Sequence, residues 1–217
     1  MAGNGKRGRS IAILSTLSTS LFLAILTVAG LHGCGTKAGK SRAHSDVASL
    51  ADRVIYPDKV GDFRFVRKNL MESSSEAVVL RYVTPDTQMG FVEAVVYPFQ
   101  PVGMKSFTPE HRAGVFVQHY ETVKREVFFA VKGQRYQKVT FDKEDRLKVR
   151  GITLPVHRAL YTAVNDTESQ YAVLYLALLG DYCLRVQAMV PKKSYRQQAD
   201  HLKDVALQLI TGIRIPN

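Results

Sequence analysis

The apolar residues of the chain recur with two different periods, one typical of strands and one typical of helices. Short runs rich in β-branched and aromatic residues, each bounded by turn sequences, predict an antiparallel sheet of about six to seven strands. These runs cover residues 62–71, 77–83, 90–97, 135–142, 154–164, 171–179 and 182–190. The run at 171–179 is apolar at both alternating sets of positions, which predicts a central strand covered on both faces.

Two longer stretches repeat their apolar residues every three or four positions, as amphipathic helices do. The first opens at Pro109, behind the capping residue Thr108, and ends at Gly133. The second follows a predicted cap at Ser194, and its apolar stripe continues to Ile210. Since two such helices can cover the faces of one sheet, the pattern predicts a single α+β domain over residues 54–217.

The order of these elements is three strands, a helix, about four strands and a second helix. Over residues 54–213 this order resembles the PsbP-like fold, which photosystem extrinsic subunits share with small bacterial envelope lipoproteins of the DcrB type. The resemblance implies an α/β/α sandwich. It also implies a non-enzymatic accessory domain that stabilises or helps to assemble a membrane complex.

The first residues of the chain follow the order of a secretory signal. A basic start with Lys6, Arg7 and Arg9 precedes residues 10–36, which hold no Asp, Glu, Lys or Arg, and the most apolar part is 21–31. The run Leu31-His32-Gly33-Cys34 then resembles the lipobox of bacterial lipoproteins. Leu31 and Gly33 match its pattern, whereas His32 stands where a small residue is usual.

The lipobox resemblance implies that the Cys34 thiol is alkylated with diacylglycerol and that cleavage leaves Cys34 as the first residue. Residues 1–33 are then a signal peptide, and 34–53 form the lipidated cysteine and a flexible tether rich in Gly, Ser, Lys and Ala. The alternative is an uncleaved transmembrane helix, because 11–30 has about the length of a membrane span. Either anchor places the domain outside the cytoplasm, and we expect the periplasmic side with the outer membrane favoured.

The charge of the chain is strongly basic. Residues 34–217 hold 27 of the 30 Lys and Arg residues and all 19 Asp and Glu residues, a net charge of +8. Outside the cytoplasm such a charge favours anionic lipid head groups, an anionic envelope polymer or an envelope protein complex as partners, and not nucleic acid. Solubility alone is the alternative explanation.

Two surfaces are candidates for binding. The loop 98–108 is apolar for a loop and contains Phe99, Met104 and Phe107; its alternative role is to pack over the sheet edge. Residues 146–150 alternate between basic and apolar, with Arg146, Lys148 and Arg150 on one side. A solvated face at a sheet edge is the alternative for this row, since edge charges block aggregation.

The motifs that carry chemistry are missing or incomplete. The sequence contains no Gly-x-Ser-x-Gly and no His-Glu-x-x-His, and Gly39-Lys40-Ser41 lacks the first glycine of a phosphate-binding loop. His111 and His119 lie about 12 Å apart along one helix, too far for a shared metal without further ligands. His157 is expected at the surface or half-buried, and Cys183 as a small buried side chain.

We therefore expect no metal, no cofactor and no catalytic residue. The function expected is a non-enzymatic binding, accessory or assembly factor of the cell envelope, tethered to a membrane through Cys34. The alternative is a hydrolase with a dispersed site that acts on envelope polymers.

Overall fold

A computed structural model of the chain describes residues 49–71, 74–85, 90–99, 108–133 and 136–216. One eight-stranded antiparallel sheet runs through them in the order β1-β2-β3-β4-β8-β7-β6-β5. Its strands are β1 (Lys59–Val60), β2 (Phe63–Met71), β3 (Ser74–Val83), β4 (Phe91–Pro98), β5 (Lys138–Leu147), β6 (Val156–Val164), β7 (Ser169–Leu179) and β8 (Tyr182–Pro191). The helices are α1 (Leu50–Arg53), α2 (Pro109–Gly133) and α3 (Lys192–Gly212).

The helices cover both faces of the sheet, which gives two hydrophobic cores. Helix α3 packs on β7 and β8, and the short α1 contacts β3. The core on this face includes Phe63, Leu80, Tyr82, Leu184 and Leu209, all fully buried. Helix α2 packs on β5, β6 and β7 from the opposite face. Strands β7 and β8 are therefore buried on both faces, as the apolar run at 171–179 predicts.

The sheet has more strands than the six to seven expected. The two-residue β1 pairs with β2 through Lys59 and Val60 and is too short to leave a periodic signal. The sequence Asp142-Lys143-Glu144-Asp145 predicts a turn, and this prediction is wrong, because β5 continues through these residues with a register shift between Phe141 and Lys143. Pairing with β6 outweighs the local turn preference of these charged residues.

Residues 146–150, whose strict alternation favours a strand, form one only in part. Only Arg146 and Leu147 belong to β5, and Lys148 begins the connection to β6. The alternation of exposed basic and half-buried apolar side chains nevertheless continues to Arg150.

Both ends of the domain also differ in detail from the sequence pattern. Helix α3 begins at Lys192 with Pro191 in the capping position, so the predicted cap at Ser194 is wrong. Helix α1 lies in the stretch 46–53, which the sequence favours as weakly helical but places before the domain, and its Leu50 is buried in the α3-side core. The packed domain therefore includes residues before Val54.

Candidate binding surfaces

Several connections between strands lie at one end of the sheet. In antiparallel neighbours, the β5–β6 and β7–β8 connections lie at the same end, as the pairs Leu147–Val156 and Leu179–Tyr182 require. The first described residues also lie there, because the Arg53 guanidinium donates to the Tyr182 hydroxyl at 2.6 Å and to the Pro216 carbonyl at 3.3 Å. We call this the Ser49 end.

The three basic residues predicted as a binding row lie at the Ser49 end. Arg146, Lys148 and Arg150, together named the basic segment, are all exposed. Leu147 and Val149 between them pack against the α3-side core and fix the direction of the basic side chains. β5 is the last strand of the sheet, so the segment borders an open edge.

The anionic groups near the basic segment already pair with other residues. The Lys124 ammonium lies 2.8 Å from both the Glu121 and the Glu144 carboxylates. Asp145 pairs with Arg158 through a hydrogen-bonded contact, and its pKa is lowered by that guanidinium against the opposing effect of burial. Among the described residues, no ion pair involves the basic segment, so its charges face solvent.

Of the three candidate residues in the apolar loop 98–108, the structure describes Phe99 alone. Phe99 is buried, and its ring lies 6.0 Å from that of Phe116 and 5.8 Å from that of His119. Its backbone N–H donates to the Asp181 carbonyl at 2.7 Å. Phe99 therefore packs under α2 and is not available on the surface. Met104 and Phe107 lie outside the described residues.

A set of buried polar residues on the α2 side of the sheet escapes the sequence patterns. Arg81, Glu93, Arg185 and Gln187, which we call the polar row, lie on adjacent strands β3, β4 and β8. Arg81 faces Glu93 in the register of β3 and β4, and Glu93 faces Gln187 in that of β4 and β8. Charged residues inside otherwise apolar strands are the sequence signal that marks them.

Electrostatics within the polar row centre on Glu93. The Arg81 guanidinium lies 3.5 Å from its carboxylate and 4.3 Å from the centre of the Phe91 ring. Burial raises the pKa of Glu93, and the positive charges of Arg81, Arg67 and Arg185 oppose that rise. The Nε of Arg185 is buried without a hydrogen-bond partner among the described residues. The row is thus a charged layer held inside the fold.

A second buried polar cluster joins α2 to the sheet. The Tyr97 hydroxyl lies 2.8 Å from the Nε2 of His119, and burial lowers the pKa of that histidine. Cys183 faces Tyr97 across β4 and β8 and is fully buried, as the sequence predicts. Burial raises the pKa of its thiol to about 12. Because the thiolate is the reactive form, this cysteine is unsuited to nucleophilic attack at neutral pH.

The expectation for His157 is wrong. The side chain is 2% exposed and lies under α2, with its ring 4.4 Å from that of Tyr120 and 5.6 Å from that of Phe116. Burial, followed by the positive charge of Arg146, lowers its pKa. Its Nδ1 is buried without a hydrogen-bond partner among the described residues. The sequence does not predict this burial, because it depends on the packing of α2 over β6, which local sequence patterns do not show.

The described part of the chain shows neither a cluster of metal-ligating residues nor a helix that could span a membrane. In residues 49–216, outside the four internal gaps, no group of three or more His, Cys, Asp or Glu residues is arranged to hold a metal ion. None of the helices described there is both long and apolar enough to cross a membrane. Cys34 and the apolar residues before it lie outside the described residues.

Comparisons with known proteins give only distant structural likenesses. No family model matches the chain, and no curated protein matches it. The solution structure of cyanobacterial PsbP (CyanoP) from Synechocystis sp. PCC 6803 is similar at 8% identity and a TM-score of 0.48, over 82% of this chain and 98% of that one.

Two crystal structures show similar levels of likeness. LpqN, described as involved in cell envelope biogenesis of Mycobacterium tuberculosis, is 9% identical with a TM-score of 0.44, over 76% of this chain and 83% of that one. PA94 from Pseudomonas aeruginosa, a protein of unknown function and putative regulator, is 8% identical with a TM-score of 0.41, over 72% and 99%. Because the identities are so low, none of these proteins assigns a function to this chain.

Proposed function

We propose that this chain is an extracytoplasmic accessory protein, held at a membrane by lipid on Cys34 and acting by binding. One observation carries the proposal: the sequence Leu31-His32-Gly33-Cys34 follows a basic start and an uncharged apolar run. That order is the order of a secretory signal. Its partners in this proposal are the membrane and an envelope protein complex or an anionic envelope polymer.

The state of the buried titratable groups supports binding over catalysis. A catalytic nucleophile or base needs access to substrate and a pKa near the working pH. The Cys183 thiol is fully buried, with its pKa raised to about 12. His157 is enclosed by the rings of Tyr120 and Phe116. The exposed basic segment at the Ser49 end suits electrostatic binding.

The test of the anchor compares the two cysteines of the chain. The full chain, its Cys34→Ser variant and its Cys183→Ala variant are expressed in a bacterial host fed labelled palmitate. We expect label in the wild type and in Cys183→Ala and none in Cys34→Ser, which should also migrate more slowly because it keeps the uncleaved signal segment. Equal attachment of all three without label would instead favour the uncleaved transmembrane helix.

A further inference from the structure

We infer that the Ser49 end of the sheet docks on an anionic phospholipid surface through the basic segment and Arg214. This deepens the proposed function and rests on it, because it names the surface that the tethered domain would meet. The inference combines the position of the charges, the position of the chain start and the distance that the intervening residues span.

The charges and the chain start lie at one end of the domain. Arg214 is exposed, and its backbone pairs with that of Ile55, two residues after α1. From Tyr182, which accepts the Arg53 hydrogen bond, three strand spacings of about 4.8 Å each lead across the sheet to β5. The basic segment thus lies about 14 Å to one side of Tyr182, and Arg214 lies beside the first described residues.

The acidic residues at this end are fewer and partly paired. Asp181 lies 2.9 Å from the guanidinium of Arg112, so their charges offset each other. Asp52 accepts a hydrogen bond from the Ser49 hydroxyl at 2.6 Å, and Glu76 and Glu110 are exposed near the starts of β3 and α2. The excess charge at the Ser49 end is therefore positive, which complements an anionic head-group layer.

The length of chain before Ser49 keeps this end close to the membrane. About 15 residues rich in small and polar types separate Cys34 from Ser49, and a flexible linker of that length has a mean end-to-end distance of roughly 20 Å. The Ser49 end therefore meets the bilayer before any other part of the domain. Each basic side chain near an anionic surface should shift the ratio of docked to undocked domain about fivefold.

The test uses two exposed threonines in hairpin connections at opposite ends of the sheet. Thr153 lies in the β5–β6 connection at the Ser49 end, and Thr167 lies in the β6–β7 turn at the other end. Thr153→Cys and Thr167→Cys of the full chain are each labelled with a fluorophore and placed in vesicles that carry a head-group quencher. The unsubstituted chain is the labelling control, since Cys183 is buried and only an unlipidated Cys34 would react.

We expect the label at Thr153 to be quenched more in vesicles with about one third phosphatidylglycerol than in neutral phosphatidylcholine. High salt, or the triple variant Arg146→Glu, Lys148→Glu and Arg150→Glu, should remove the difference, and the label at Thr167 should respond to neither. Equal quenching at the two positions, or quenching independent of lipid charge, would overturn the inference. A soluble anionic polysaccharide that shifts the Thr153 signal when anionic lipid does not would assign the surface to an envelope polymer and would also overturn it.

Failure of the anchor and failure of the docking surface give different results. A chain whose Cys34 takes up fluorophore lacks lipid, which contradicts the proposed function. Because a transmembrane helix would also lie before Ser49, the comparison of Thr153 with Thr167 still decides the docking inference in that case.

Discussion

Two groups of basic side chains in this domain lie in opposite surroundings. Arg81 and Arg185 are buried on the α2 side of the sheet near Glu93, whereas the basic segment is exposed and has no anionic partner among the described residues. Burying a charge is costly unless the charge is paired, so the buried charges of the polar row depend on the pairing that the folded sheet provides. The basic segment carries no such constraint, which leaves its charge available for binding.

Removal of Glu93 should produce the largest loss of stability. In Glu93→Gln the guanidinium groups of Arg81 and Arg185 remain buried without the carboxylate, and we expect a loss of about 3–5 kcal/mol in the free energy of unfolding. Urea denaturation measures it. Glu144→Gln, which breaks a surface pair with Lys124, is the matched control and should cost less than about 1 kcal/mol. Similar losses in the two variants would remove the distinction between the buried and exposed groups.

His157 adds a pH-dependent test of the same α2 face. Because burial lowers its pKa in the folded state, the unfolded chain binds the proton more readily. Stability from this group is therefore complete above the ordinary histidine pKa of about 6.5 and falls as the pH drops below it, by up to about 1.4 kcal/mol per pH unit. His157→Phe should flatten the decline of the urea midpoint between pH 7 and pH 5. A decline of unchanged slope would show that another group causes it.

The basic segment should give the smallest change in stability. Its reversal in the triple variant Arg146→Glu, Lys148→Glu and Arg150→Glu should alter the unfolding free energy by no more than about 0.5 kcal/mol per residue, as exposed substitutions usually do. Thermal unfolding and urea denaturation both measure this. A loss as large as that of Glu93→Gln would mean that the segment holds the fold together, and would return it to a structural role.

Patterns confined to one element predict this fold well. The helix from Pro109 to Gly133 and the strands that form β4, β7 and β8 follow from their apolar patterns, because each buries one face or both along most of its length. Two-residue β1 is too short for any period. The continuation of β5 through 142–145 depends on pairing with β6, and this pairing cannot be predicted from the local turn preference of those residues.

The polar residues divide in the same way, into those whose exposure local patterns predict and those that only the sheet order brings together. The exposure of the basic segment follows from its alternation with Leu147 and Val149, so sequence alone indicates its side of the strand. The polar row could not be assembled in this way, since Arg81, Glu93 and Arg185 come from three strands that only the sheet order brings together. The burial of His157 likewise depends on where α2 crosses β6. Whether these polar residues are buried depends on long-range packing and not on local periodicity.

The intact mass of the full chain extracted from membranes distinguishes a lipid anchor on Cys34 from an uncleaved helix. We expect a chain that begins at Cys34 and carries the added mass of a diacylglycerol group, with or without a further acyl chain. A chain that begins at Met1 with an unmodified Cys34 would contradict it.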